Sequence, residues 1–262
     1  MKNLYTLIAV LTLITSPSHA NIIILKGLTN QHSANPGEIV KGEVLLYNTS
    51  NGPLHATLSA KDVLFYCNSS RVFKKNSQHK FSASDWLKIS FNRITIAPKQ
   101  VYTLSYKMII PADPELKGSF WTALMIDQES ALSESDMQGG IKVKTKLSYA
   151  VGIVTQVSTP ESLDLTFESI SFKKRDHKIE ALALKVHNND LFVRPVKLEM
   201  EVYDSLGSLV SEVSSSNKRM FSQVCTTYEL KMEHLKSGLY TAVIYASDNN
   251  QKIGTNIQFN IK

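Results

Sequence analysis

Residues 140–157 read GIKVKTKLSYAVGIVTQV, and their side chains alternate in character. Ile141, Val143, Leu147, Val151 and Ile153 fall on odd positions with Thr145 and Tyr149, while Lys142, Lys144, Lys146 and Ser148 fall on even ones. An extended backbone sends successive side chains to opposite faces, so this spacing makes one apolar face and one face of ammonium groups. A helix would scatter the same residues around its circumference. The run exceeds the usual strand of about 5–6 residues and lies near the middle of the chain. It is expected to close a first β-domain and to lead into a second.

Both halves repeat this grammar. Alternating or apolar runs at 21–28, 38–47, 54–66, 86–91, 94–96, 101–110 and 120–126 are separated by turn chemistry such as Asn35-Pro36-Gly37 and Asn51-Gly52-Pro53. Residues 71–84 are polar and basic and are expected to form a loop. The second half offers strands at 163–172, 179–186, 196–202, 227–232, 239–246 and 253–261. No long stretch carries the period of an amphipathic helix. Roughly seven short strands in the first half and six in the second, with frequent turns, predict an all-β chain of two immunoglobulin-like antiparallel β-sandwich domains in tandem. The expected boundaries are 21–154 and 155–262. Residues 116–126, LKGSFWTALMI, also echo residues 235–245, LKSGLYTAVIY, with Trp121 and Tyr240 at the same step. That echo favours two like domains over one large one.

Residues 1–20 have a basic start at Lys2, an apolar run and a Ser18-His19-Ala20 end, the pattern of a cleavable signal peptide. Export to the periplasm, or to the cell surface, follows from it. The two cysteines, Cys67 and Cys225, fall in different expected domains. Two separate buried thiols are expected rather than a bridge. The formal charge of +6 is spread along the chain with acids interspersed, which argues against a nucleic-acid partner. No later run approaches the length of a membrane span.

No nucleophile elbow, zinc-protease helix, P-loop or dinucleotide fingerprint is present. His32, His55, His79, His177, His187 and His234 show no ligand spacing and read as surface or turn residues. His187-Asn188-Asn189-Asp190 has donors, but Asn and Asp after a strand are ordinary turn formers. Asp113, Asp127 and Glu129 lie in or beside loops, and only their placement in space, not the sequence, would pair them for glycosidase-type acid–base work. Trp86 and Trp121 are expected in the core of the first sandwich. The chain is read as non-enzymatic, with no cofactor and no metal.

The segments 22–28, IAPKQVYTLSYKMIIP at 96–111, GSFWTALMI at 118–126 and, above all, 142–149 together resemble the two-domain periplasmic pilus chaperones, the PapD-like family. The resemblance spans the mature chain in layout, with its recognisable residues concentrated in the first half. It implies that the last strand of the first domain lends alternating side chains, here Ile141, Val143 and Leu147, to an incomplete pilin-like subunit. It also implies that Thr145-Lys146 matches the family's Thr-Lys pair, whose lysine anchors a subunit carboxylate. The family's second anchor is an arginine on the first strand; the nearest basic residue here is Lys26. The rival reading is a structural or adhesive surface protein of paired immunoglobulin-like domains with no client. Lysines on an exposed edge strand also serve simply to discourage edge-to-edge pairing.

Overall fold

The computed structural model describes residues 21–67, 70–75, 79–129, 147–175, 178–232, 235–248 and 250–261, which contain strands and turns but no helix. The expected signal peptide lies outside these residues. The strands of the first half are β1 (Ile22–Leu25), β2 (Thr29–Ala34), β3 (Ile39–Asn48), β4 (Leu54–Phe65), β5 (Arg71–Lys74), β6 (Leu87–Ile89), β7 (Arg93–Ile96), β8 (Val101–Ile109), β9 (Gly118–Gln128) and β10 (Leu147–Val157). Those of the second half are β11 (Leu165–Arg175), β12 (Lys178–Asn188), β13 (Arg194–Tyr203), β14 (Leu209–Ser214), β15 (Lys218–Met220), β16 (Cys225–Lys231), β17 (Gly238–Ser247) and β18 (Lys252–Ile261).

Each half is a sandwich. The first stacks the sheet β1-β3-β8-β6 on the sheet β2-β10-β9-β4-β5, with β7 also on β4. The second stacks β11-β12-β16 on β14-β13-β17-β18, with β15 also on β13. The all-β immunoglobulin-like pair expected from the alternation is the fold. Alternate residues supply each core: Leu46, Leu104 and Met108 meet Leu58, Leu124 and Ile153 in the first, and Leu182, Leu184 and Val186 meet Leu198, Met200 and Ile244 in the second. Each such side chain, once fully buried, contributes about 1.5–3 kcal/mol. β10 pairs with β9 without a break as far as Val157 opposite Gly118, so it runs through the position 154/155 expected to divide the domains.

Two local departures from the expected strands shape the edges of the first sandwich. Residues 71–84 are not all loop, because Arg71–Lys74 pair antiparallel with residues 62–65 of β4 to make β5. The apolar run at 21–28 is not one strand either. Lys26 (φ 63°) and Gly27 (φ 88°) are both left-handed, which ends β1. The chain then crosses to the other sheet, where β2 pairs parallel with β10 from Thr29 opposite Gly152 to Ala34 opposite Val157.

β2 is held from within by Tyr106. The Tyr106 hydroxyl accepts a hydrogen bond from Asn30 Nδ2 at 2.9 Å and lies 2.7 Å from His32 Nε2. With Asn30 donating, the phenol proton is free to bond a neutral imidazole at His32. The ring passes over Gly42, where an added Cβ would sit 2.2 Å from Tyr106 Cζ. Gly42→Ala is therefore expected to displace a buried ring and lower stability by about 1–3 kcal/mol, measured by urea denaturation. The same change should speed hydrogen exchange at residues 29–34.

Burial holds the imidazoles of His32 and His79 below the ordinary histidine range; at His79 the Asp62 carboxylate 3.9 Å away offsets part of that effect. The unfolded chain takes up these protons first as the pH falls through about 6.5, so stability should drop on acidification below that value. Denaturation midpoints between pH 7.5 and pH 5.5 should fall for the natural chain. The His32→Gln/His79→Gln variant should lose much of that dependence.

Candidate functional site

β9 lies between two apolar layers, and all of residues 118–126 are buried. Phe120, Leu124 and Ile126 face the first core. Trp121, Ala123 and Met125 face the other way and form a third cluster with Val63, Phe81, Val154 and Val193, against which Phe65, Leu191 and Phe221 pack. Val193, Leu191 and Phe221 come from the second sandwich, so this third layer joins the two. Trp121 is thus buried between the sandwiches and not in the first core, with Nε1 donating to the Val63 carbonyl at 2.8 Å. Trp86 does pack against the first core.

The junction is built from several kinds of contact. Phe65 stacks on Phe221 with ring centroids 3.6 Å apart, and Phe221 meets Trp121 edge-on at 5.0 Å. Ser119 N donates to the Leu191 carbonyl at 2.8 Å, and Val193 N donates to Ser119 Oγ at 2.9 Å. Gly118 has φ 126°, and a Cβ there would lie 2.8 Å from the Leu191 oxygen, so only glycine fits this approach. Cys67, just beyond β4, forms a disulfide with Cys225 at the start of β16. The expectation of two separate thiols is corrected: the β4–β5 hairpin brings Cys67 across the junction, to a Cα–Cα distance of 4.7 Å from Cys225.

Beside this junction β10 has an incomplete edge. β9 covers one side of β10 throughout, but β2 pairs only with Gly152–Val157. Among the described residues no strand pairs with the other side of residues 147–151. A cavity of about 410 Å³ opens next to that edge. Ser148, Tyr149 and Ala150 line it from β10, Phe65 and Trp121 from its floor, and Phe221 from the second sandwich. Arg71 of β5 and Arg219 of β15 also line it, and no described acid does. The site therefore pairs apolar and aromatic walls with two guanidinium groups from different sandwiches. It suits an extended chain that carries apolar side chains and a negative group.

The residues expected from sequence are placed unevenly. Leu147 starts β10 and is half-buried, and by the two-residue period it shares the core-side face of Val151 and Ile153. Lys26 is exposed on the left-handed link between β1 and β2 and does not line the cavity. Ile141, Val143, Thr145 and Lys146 lie outside the described residues. Arg71, Arg219 and Phe221 went unnoticed as site residues. Arg71 sits in the stretch expected to be loop, and nothing in the local pattern around Arg219 and Phe221 marks them as facing another domain. A third gathering, Ser82, Asp62 and His79, does not make a nucleophile. Ser82 Oγ donates directly to the Asp62 carboxylate, and His79 Nε2 has no hydrogen-bond partner among the described residues.

The chain is similar to the class 5 fimbriae chaperone CfaA, at 12% identity over 90% of this chain and 98% of that one, with a TM-score of 0.51. It is also similar to a chain of the chaperone–tip adhesin complex of CFA/I fimbriae biogenesis (13% identity, 91% and 98% covered, TM-score 0.48). A third similar structure is the Salmonella enterica SafA pilin in complex with the SafB chaperone (9% identity, 94% and 99% covered, TM-score 0.43). No protein-family model and no curated protein sequence matches the chain. At these identities the likeness concerns the fold: the chain has the two-domain architecture of the PapD-like fimbrial chaperones.

Proposed function

We propose that this chain, built on the PapD-like fold, is an exported, non-enzymatic chaperone for pilus or surface-fibre subunits. The observation that carries the reading is the edge of residues 147–151, unpaired among the described residues, beside a cationic, aromatic cavity between the sandwiches. An unpaired edge offers a row of backbone donors and acceptors to an extended partner, and the flanking pockets choose its side chains. In this reading Leu147, with Ile141 and Val143 upstream, lends side chains to the client's groove. Lys146 with Thr145, assisted by Lys26, anchors the client's terminal carboxylate. Arg71 and Arg219, which line the cavity, offer two further cations to that carboxylate. The protein works in the periplasm, and its partner is a pilin-like subunit.

Co-expression with the fibre subunits of the same cell, followed by purification from the periplasm, tests this. The mature chain should emerge bound to a small subunit, and Lys146→Glu should abolish that complex while leaving the fold intact. A mature chain that always purifies alone, with fibres assembling normally in its absence, would sink the chaperone role. That outcome would favour the structural or adhesive surface module instead.

A further inference from the structure

The disulfide has neighbours that a structural cross-link does not need. His187 of β12 and Cys225 of β16 are direct cross-strand partners. On the adjoining strand the register slips between Phe167 and Ser169, which leaves Glu168 as the extra residue of a β-bulge. Bulges re-aim a side chain. Here the Glu168 carboxylate reaches His187 Nδ1 through Oε1 at 3.1 Å and Lys185 Nζ through Oε2 at 2.7 Å. One donor atom each from Glu168, His187 and Cys225 lie within 4.8 Å of one another. Cys67 Sγ lies outside that trio but is bonded to Cys225 Sγ, which puts a second sulfur within one bond of it.

We propose that in the dithiol form Cys67, Cys225, His187 and Glu168 make a zinc site. Zinc takes four donors tetrahedrally, with sulfur at about 2.3 Å and nitrogen or oxygen at about 2.0–2.2 Å. Two thiolates on one zinc stand about 3.8 Å apart at those lengths, and the Cα atoms of Cys67 and Cys225 are 4.7 Å apart, near enough for both sulfurs to reach one ion. Two thiolates, one imidazole and one carboxylate form a donor set that suits zinc over calcium or magnesium, which prefer oxygen alone. Lys185 steadies the carboxylate as an outer partner.

Every disulfide is made from two thiols, so newly made chain passes through the dithiol form without any reductant. In the finished protein, a phosphine supplies the two electrons that cleave the sulfur–sulfur bond; it leaves as the phosphine oxide, with the oxygen of one water whose two protons complete the thiols. Zinc binding then releases those two protons. Either the disulfide or the metal ties the β4–β5 hairpin of the first sandwich to β16 of the second.

The test uses the mature full-length chain, reduced with a water-soluble phosphine under argon and titrated with cobalt(II) as a spectroscopic stand-in. One equivalent should bind, with thiolate-to-cobalt charge transfer in the near ultraviolet and tetrahedral d–d bands in the visible, and zinc should displace it. The oxidised protein should show neither band. Cys67→Ser should weaken the charge-transfer band, and His187→Ala or Glu168→Gln should lower affinity by at least about tenfold. The latter two keep both cysteines, and far-ultraviolet circular dichroism checks their fold. Should reduction loosen the fold, cobalt or zinc should restore it. A reduced chain without the bands, or bands unchanged by His187→Ala and Cys67→Ser, would overturn the proposal. So would a loss of fold on reduction that metal does not reverse.

Discussion

Arg194→Ala is expected to lower the stability of the second sandwich by about 3–5 kcal/mol, the usual cost of removing one partner from a buried ion pair. Arg194 opens β13 and its side chain is only 7% exposed. Its guanidinium donates from Nε to Asp190 Oδ2 at 2.8 Å, from Nη1 to Asp248 Oδ2 at 3.0 Å and from Nη2 to the Ser162 carbonyl at 2.6 Å. These partners belong to the β12–β13 turn, the β17–β18 turn and the segment entering β11. One planar fork thus ties three separate stretches of chain at the end of the sandwich nearest the junction. Alanine would leave two carboxylates with little access to water and no cation between them. Arg194→Lys should recover only part of the loss, because an ammonium cannot serve three divergent acceptors in one plane. Guanidinium denaturation followed by circular dichroism would measure it. A loss under about 1 kcal/mol would show that the carboxylates rehydrate and that the network contributes little.

The Cys67→Ser/Cys225→Ser double variant should also be strongly destabilised. The cross-link spans 158 residues of sequence, for which the chain-entropy relation gives about 5 kcal/mol as an upper value. The realised loss should be smaller, since each folded sandwich already restrains its own end of the loop. A qualitative change should accompany it. With the bridge intact the two sandwiches share the Trp121 layer and a covalent tie, and should unfold together. Without it the junction rests on the Phe65–Phe221 stack and the Ser119 hydrogen bonds, and two transitions should separate. Trp121 fluorescence should then change before the bulk of the β signal. A single coincident transition in the variant would show that the apolar layer alone couples the domains.

Much of this molecule was legible in alternation. β3, β8, β13 and β17 each bury one face, so a period of two survives in their sequences and their sandwiches follow from it. β9 illustrates the failure of that signal. Residues 118–126 are apolar or small throughout because both faces are covered, and a continuous run does not say which side faces what. The echo between 116–126 and 235–245 therefore misled in phase: Trp121, Ala123 and Met125 face the junction, whereas their counterparts Tyr240, Ala242 and Ile244 face the second core. The disulfide was hidden for a related reason. Its two cysteines meet only through the docking of two domains, and docking leaves no local periodicity. β5 is four residues long, Arg-Val-Phe-Lys, too short for any pattern to declare itself. For the candidate site, Leu147 was reachable from the alternation of its own strand. Arg71 and Arg219 converge on the cavity only once both sandwiches are in place.

The parallel pairing of β2 with β10 also sets an order of events. Thr29–Ala34 find their partners at Gly152–Val157, on the far side of nearly the whole first sandwich. Closing so long a loop is slow, and a chain that emerges amino end first cannot close it until its middle has been delivered. During that interval β2 is an orphan strand whose hydrogen-bonding groups are open to any passing chain. The last act of the first domain's assembly is thus to cap its own second strand. A chain halted before residue 152 should be a sticky intermediate and not a smaller finished domain.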